Sequence, residues 1–251
     1  MDNRVVITGI GPVTALGIGN DEFFKNLYDL KSVTNHIPEL FETNYDYKSK
    51  YYIPAPNVEF EKYDFYKKIK RDSPENAKIA VVAADLAIKD SGIENLPKNT
   101  SVIIGTGISN LRISFEAFHS NRIGTKFNRM SIPTSMTNSP AVWISIVNGL
   151  EGECYTVNSA CASGTFAIGN AYKKIKYGEV EISITGGVEF FKAEYWTVRR
   201  AFVVLTTLTK DSPGIAQPFS RHRTGFWYNE GAACLLLFEK YDNAINLITT
   251  I

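Results

Sequence analysis

Histidine is scarce in this 251-residue chain, which has only His36, His119 and His222. Only His222 follows Cys161, and it lies in the arginine-rich stretch Ser220-Arg221-His222-Arg223. A pair of imidazoles acting beside a downstream nucleophile is therefore not legible. Cysteine is equally sparse. Cys154, Cys161 and Cys234 form an odd set with no spacing pattern, which argues against a disulfide framework or a zinc site. Charge of one sign is lacking too: the net charge is +1, so no polyanion or nucleic-acid partner is expected. No apolar run is long enough to span a bilayer, and no signal peptide precedes Asp2. These absences describe a cytoplasmic chain with reduced thiols, no metal and no membrane span.

What is present is ordinary in bulk. The chain is 44% apolar and 21% charged, as in a globular protein, and is long enough to bury a substantial core. Its length suits one large domain or two small ones. Lysines cluster around Lys67, Lys68, Lys70 and Arg71, and again at Lys173, Lys174 and Lys176. Such runs are ordinarily solvated faces; the alternative is a dock for an acidic carrier protein.

Arg4 to Pro12 reads as a buried strand running into a turn, and Asn20-Asp21-Glu22 as the cap of a helix through Leu27. Residues 31–70, rich in Tyr, Asn, Asp and Pro, read as an irregular surface excursion. Ser73-Pro74-Glu75 opens a helix to Lys89. Strands follow at Ser101–Thr106, Cys154–Val157, Ile182–Thr185 (stopped by Gly186-Gly187) and Ala232–Phe238. Helices follow at 109–120, from Asn138-Ser139-Pro140 to Val147, and from Ala162 to Tyr177. Alternating strands and helices predict an α/β sheet, at least partly parallel. There is no internal repeat.

The strand Cys154–Val157 feeds a helix through Asn158-Ser159-Ala160-Cys161-Ala162-Ser163-Gly164, which places Cys161 at a helix N-terminus. Unpaired N–H groups and the helix dipole there favour a thiolate, and the small flanking residues leave room for a substrate. An isolated free cysteine is more often an inert buried hydrophobe. The helix, with Phe166, Ala167, Ile168, Ala171 and Ile175, is apolar around much of its early circumference and is expected to be buried.

The words around Cys161 shift that balance. Ala160-Cys161-Ala162-Ser163-Gly164, followed by Ile184-Thr185-Gly186-Gly187-Val188-Glu189, resembles the active-site region of the β-ketoacyl-acyl carrier protein synthases of the thiolase superfamily. Val5-Val6-Ile7-Thr8-Gly9-Ile10-Gly11 with Gly17 resembles the family's opening. Pro218-Phe219-Ser220, Arg223, Gly225-Phe226 and Glu230-Gly231-Ala232 resemble its later signature, with Tyr228 and Asn229 where members have small or aliphatic residues.

The resemblance implies that residues 1–251 are a single domain, the N-terminal half of a thiolase-like fold: a mixed, mostly parallel sheet with helices on both faces. It makes Cys161 the acceptor of an acyl group brought on the phosphopantetheine of an acyl carrier protein, with no other cofactor. It assigns Glu230 a structural role. Decarboxylation in the family uses two histidines, or a histidine and an asparagine, of the C-terminal half, which the chain ending at Ile251 is expected to lack.

Two functions stay open. One is a chain length factor-like subunit that shapes the acyl tunnel of a full-length ketosynthase in a heterodimer of fatty acid or polyketide synthesis. The other is Cys161-dependent acyl transfer or holding without condensation. Tunnel or interface candidates are Ile108, Leu111, Phe115, Met130, Met136 and Trp143, bulky residues before the cysteine strand, for which ordinary core packing is the alternative.

Overall fold

A computed structural model of the chain describes residues 3–33, 35–36, 51–125, 128–190, 219–223 and 225–239. Strand β1 (Val5–Thr14) turns back into β2 (Gly17–Ile18) and leads to helix α1 (Asn20–Tyr28). The expected Asn20-Asp21 cap is absent. Gly19 occupies the cap position at φ 86°, and Glu22 instead accepts the Ile18 N–H at 3.0 Å, tying the helix to the hairpin.

Residues 51–70 correct the surface-excursion expectation. Strand β3 (Asn35–His36) pairs with β4 (Tyr51–Ile53) in a small second sheet. A 3₁₀ turn (Phe60–Lys62) and helix α2 (Tyr66–Ile69) follow, and Val58, Phe65 and Ile69 are buried in the main core. The aromatic richness serves packing: the Phe60 and Tyr66 rings stack at 6.0 Å, and Tyr63 meets Phe65 at 5.2 Å. Part of the lysine cluster is structural as well. Lys68 donates to the Val147 carbonyl, and Lys70 lies 5.8 Å from the Tyr66 ring centre.

Helix α3 (Glu75–Asp90) starts after Pro74, as expected, but Ser73 donates its hydroxyl to the Ile69 carbonyl rather than capping. Its buried face is mostly alanine, Ala77, Ala80, Ala83, Ala84 and Ala87 among others, so the helix can lie close on β1. The approach is tight enough to demand glycine opposite. A Cβ on Gly9 or Gly11 would lie 1.9 Å from the carbonyl oxygen of Ala87 or Ala83. Gly9 and Gly11 are thereby explained by helix-on-sheet contact.

Strand β5 (Ser101–Gly105) is followed by α4 (Leu111–Ile123), α5 (Ser131–Ser135) and α6 (Ser139–Asn148). Then come β6 (Cys154–Val157), α7 (Ser163–Lys176) and β7 (Ile182–Glu189). The last described elements are β8 (Tyr228–Asn229), which joins β4, and β9 (Gly231–Glu239). The main sheet has the order β2-β1-β9-β7-β5-β6. Strands β1, β5, β6 and β7 share one direction, and β2 and β9 run against them.

Gly186-Gly187 does not stop β7, as the sequence suggested; the strand runs through to Glu189 against β9. A Cβ on Gly186 would lie 2.0 Å from the Ala233 carbonyl oxygen, so the residue serves close ladder pairing rather than chain reversal. Two apolar clusters cover the two faces. The larger joins α3 and α6 to Val13, Val102, Ile104, Ile184 and Leu236; the smaller joins α7 to Ile103 and Leu237. Helices on both faces of a mixed sheet are what the resemblance implies. Among the described residues, no helix is long and apolar enough to cross a membrane.

Candidate active site around Cys161

The C-terminal ends of β5, β6 and β7 meet the start of α7, and Cys161 lies in the turn between. Ala160 adopts a left-handed φ of 48°, which swings the chain from strand to helix and leaves the Cys161 side chain exposed. Ser163 clips the turn. Its hydroxyl accepts the Ser159 N–H at 2.8 Å and donates to the Ala160 carbonyl at 2.6 Å. The N–H groups of Ala162 and Ser163 close onto the carbonyls of Ser159 and Ala160, so these two helix-start donors do not face a substrate, contrary to expectation.

Helix α7 presses on the sheet at its first turn. A Cβ on Gly105 would lie 2.3 Å from the Ser163 carbonyl carbon, and Gly187 lies against Gly164. Its buried stripe is Ala167, Ala171 and Ile175. The outer face is not buried within the chain as expected: Phe166 is 54% exposed and Tyr172 44%. At the far end, Lys174 bridges Glu153 at 2.6 Å and Glu179 at 2.8 Å, hydrogen bonds that raise its pKa and tie the helix to the start of β6.

Cys161 opens on a cavity of about 830 Å³. Its small-residue lining is Gly105, Gly107, Ala160, Gly164, Gly187, Gly231, Ala232 and Ala233, and its bulkier walls are Ile108, Val188, Phe226 and Trp227. Polar groups come from Thr14, Thr106, Ser163, Glu189 and Asn229. No histidine lines it among the described residues. His119 lies exposed on α4, and the His222 N–H donates to the Ser220 hydroxyl in a surface turn. An apolar cleft with few polar groups suits an acyl chain better than a charged substrate.

Of the candidate residues, only Ile108 joins Cys161 in the cavity. Leu111 and Phe115 project from α4, and Met136 follows α5; all three are exposed. Met130 is half-buried before α5, and Trp143 packs on the larger core cluster. Glu230 is buried outside the cavity. Its carboxylate accepts the Ala55 N–H and its own N–H donates to the Ile53 carbonyl, which links the second sheet to β9. Sequence reasoning passed over Trp227, and took Phe226, Asn229 and Glu189 only as positions in motifs. The signal for Glu189 was a carboxylate at a strand end next to Gly105-Thr106-Gly107.

The other thiols are poorly placed for chemistry. Burial pushes the Cys234 thiol up to about 12, and burial also raises that of half-buried Cys154. At pH 8 the thiolate fraction at Cys234 is then on the order of 10⁻⁴. Iodoacetamide is expected to modify Cys161 alone in the native chain at pH 8, and all three cysteines after denaturation. Intact-mass time courses check this; equal native rates at two sites would contradict it.

The model of the family described as "Beta-ketoacyl synthase, N-terminal domain" matches residues 2–243. The chain is 28% identical over 272 residues to a 3-oxoacyl-[acyl-carrier-protein] synthase homolog of Saccharomyces cerevisiae, covering 97% of this chain and 60% of that protein. It superimposes on a crystal structure of a β-ketoacyl synthase from Burkholderia phymatum with a TM-score of 0.85 at 29% identity, covering 99% of this chain and 62% of the other. The fold is shared with the ishigamide ketosynthase/chain length factor, with a TM-score of 0.82 at 22% identity, covering 98% of this chain and 60% of the other. The chain thus spans about 60% of the length of the relatives it matches. With that match over nearly its whole length, and Cys161 in a strand-to-helix turn above an apolar cavity, this chain belongs to the β-ketoacyl synthase family through its N-terminal domain.

Proposed function

We propose that this chain is an acyl-accepting unit of a β-ketoacyl synthase system, with Cys161 as the thioester nucleophile. An acyl carrier protein presents the acyl group on its phosphopantetheine. The Cys161 sulfur attacks the thioester carbonyl carbon, the phosphopantetheine sulfur leaves as the thiol, and the acyl chain enters the cavity. The observation that carries this reading is the exposed Cys161 above a cavity that no histidine lines among the described residues. That pairing supports acyl transfer and holding, because decarboxylation of a malonyl-carrier needs imidazole-type proton-handling groups, and among the described residues no histidine lines the cavity.

A full-length ketosynthase partner supplies those groups in a heterodimer, with this chain shaping the acyl tunnel as a chain length factor does. Two surfaces support that arrangement. The α4–α5 region exposes the apolar side chains of Phe115, Phe118 and Ile132, the latter two by 66% and 74%, which a partner can cover. Strand β6, which leads to Cys161, is the edge of the sheet among the described residues, and a sheet edge is where a further strand can add. The experiment is incubation with an acyl-carrier protein, followed by mass analysis of the Cys161 peptide. Acyl mass on that peptide is expected; a peptide that stays unmodified overturns the reading. Co-expression with a full-length ketosynthase tests the partner: one complex containing both chains is expected, and separate elution contradicts the heterodimer.

A further inference from the structure

Glu189, at the end of β7, has its carboxylate surrounded by donors. Gly107 N–H donates to Oε2 at 2.7 Å, Ser109 N–H to Oε1 at 2.9 Å, and Ile108 N–H to both oxygens at 3.1 and 3.3 Å. The Thr106 hydroxyl adds a bond to Oε1 at 3.2 Å. Three consecutive backbone N–H groups converging on one anion form a nest. With its oxygens engaged in this way, the carboxylate is ill placed to serve as a general base.

The same loop is tied from its other side. The Asn158 side chain donates to the Gly107 carbonyl at 3.0 Å, three positions before Cys161. Gly107 threads the gap: a Cβ there would lie 2.8 Å from Glu189 Oε2 and 3.5 Å from the Ala160 carbonyl oxygen. Ser109 is held at a left-handed φ of 55°, and buried Asn76 donates to its hydroxyl at 3.2 Å. Thr106, Gly107 and Ile108 line the cavity beside Cys161.

We propose that Glu189 is a positioning residue: its carboxylate, filling the nest of residues 107–109, fixes this loop as the cavity wall that aligns an acyl thioester with Cys161, and a small free carboxylate can replace it. The inference rests on the reading of Cys161 as acyl acceptor. Without the carboxylate, three N–H groups lose their acceptor and the wall moves, which lowers acyl loading on the order of 100-fold, as a misplaced wall near the reacting atoms does.

The test compares Glu189→Ala with the parent chain. Loading from an acyl-carrier protein is expected to fall in the variant and to recover largely in about 0.1 M formate, whose occupancy follows mass action, while the parent ignores formate. Alkylation of Cys161 by iodoacetamide, which needs no aligned thioester, is expected to hold its rate in both. A variant that loads like the parent overturns the proposal. So does one whose loading formate leaves unrestored, or whose alkylation falls in step with loading. If the parent does not load at all, the acyl-acceptor reading has failed and the nest is judged by melting: formate raising Tm in Glu189→Ala but not in the parent supports it, and equal shifts overturn it. Should the alanine variant not fold, Glu189→Gln carries the loading and alkylation comparison, because its amide sets an N–H₂ donor against a nest donor; parent-like loading again overturns the proposal.

Discussion

Gly105→Ala is expected to destabilise the chain by about 3 kcal/mol or more, at the upper end of overpacking effects. The added methyl would lie 2.3 Å from the Ser163 carbonyl carbon and 2.4 Å from the Gly164 nitrogen. Both are backbone atoms, so no rotamer change relieves the clash. Helix α7 must lift from β5, and the Ser163 clip and Cys161 turn move with it. Against a typical total of 5–15 kcal/mol, such a loss is a large share of the stability. Gly169→Ala on the same helix gives the opposite sign. A Cβ there meets nothing within 4 Å, so the helix gains about 0.5–1 kcal/mol from the better helix former. Urea midpoints of the two variants against the parent check both effects. Equal and small shifts would mean that α7 does not rest on β5 at this distance.

Cys161→Ala is expected to abolish acyl acceptance, a loss of at least about 10³-fold, because a nucleophile is removed rather than weakened. Neither remaining thiol can substitute. Cys234 is buried against α3 with its thiol pushed up to about 12, and Cys154 is half-buried at the start of β6, the end of that strand away from the turn. Stability should change little, since the Cys161 side chain is exposed and the turn is held by Ser163. Label retained on the alanine variant would move the chemistry elsewhere.

Much of the architecture was legible because the sequence encodes it locally. The β-branched runs at Val5, Ser101 and Ile182, the proline at α3 and the glycine-punctuated Cys161 turn each mark an element that the structure contains. What misled was punctuation whose cause is tertiary. Gly186-Gly187 reads as a strand end, yet the missing side chains admit the Ala233 carbonyl and Gly164. The aromatic stretch before Lys70 reads as irregular, yet its rings pack on one another and Val58, Phe65 and Ile69 join a core whose other members lie far along the chain. The caps read at Asn20 and Ser73 differ in the structure: Gly19 takes the first cap position, and the Ser73 hydroxyl donates to the Ile69 carbonyl instead of capping its own helix. Of the site, Cys161 was visible through its neighbours. Its opposing wall of Phe226, Trp227 and Asn229 was not, because strand pairing between residues more than 40 positions apart brings that wall to the cavity.

The most direct test of acyl acceptance without condensation is to mix the chain with an acyl-carrier and a malonyl-carrier protein and follow two signals, acyl mass on Cys161 and release of CO₂. The account predicts a stable acyl-Cys161 with no CO₂ until a full-length ketosynthase is added. CO₂ release and a condensed product from the chain alone would contradict it.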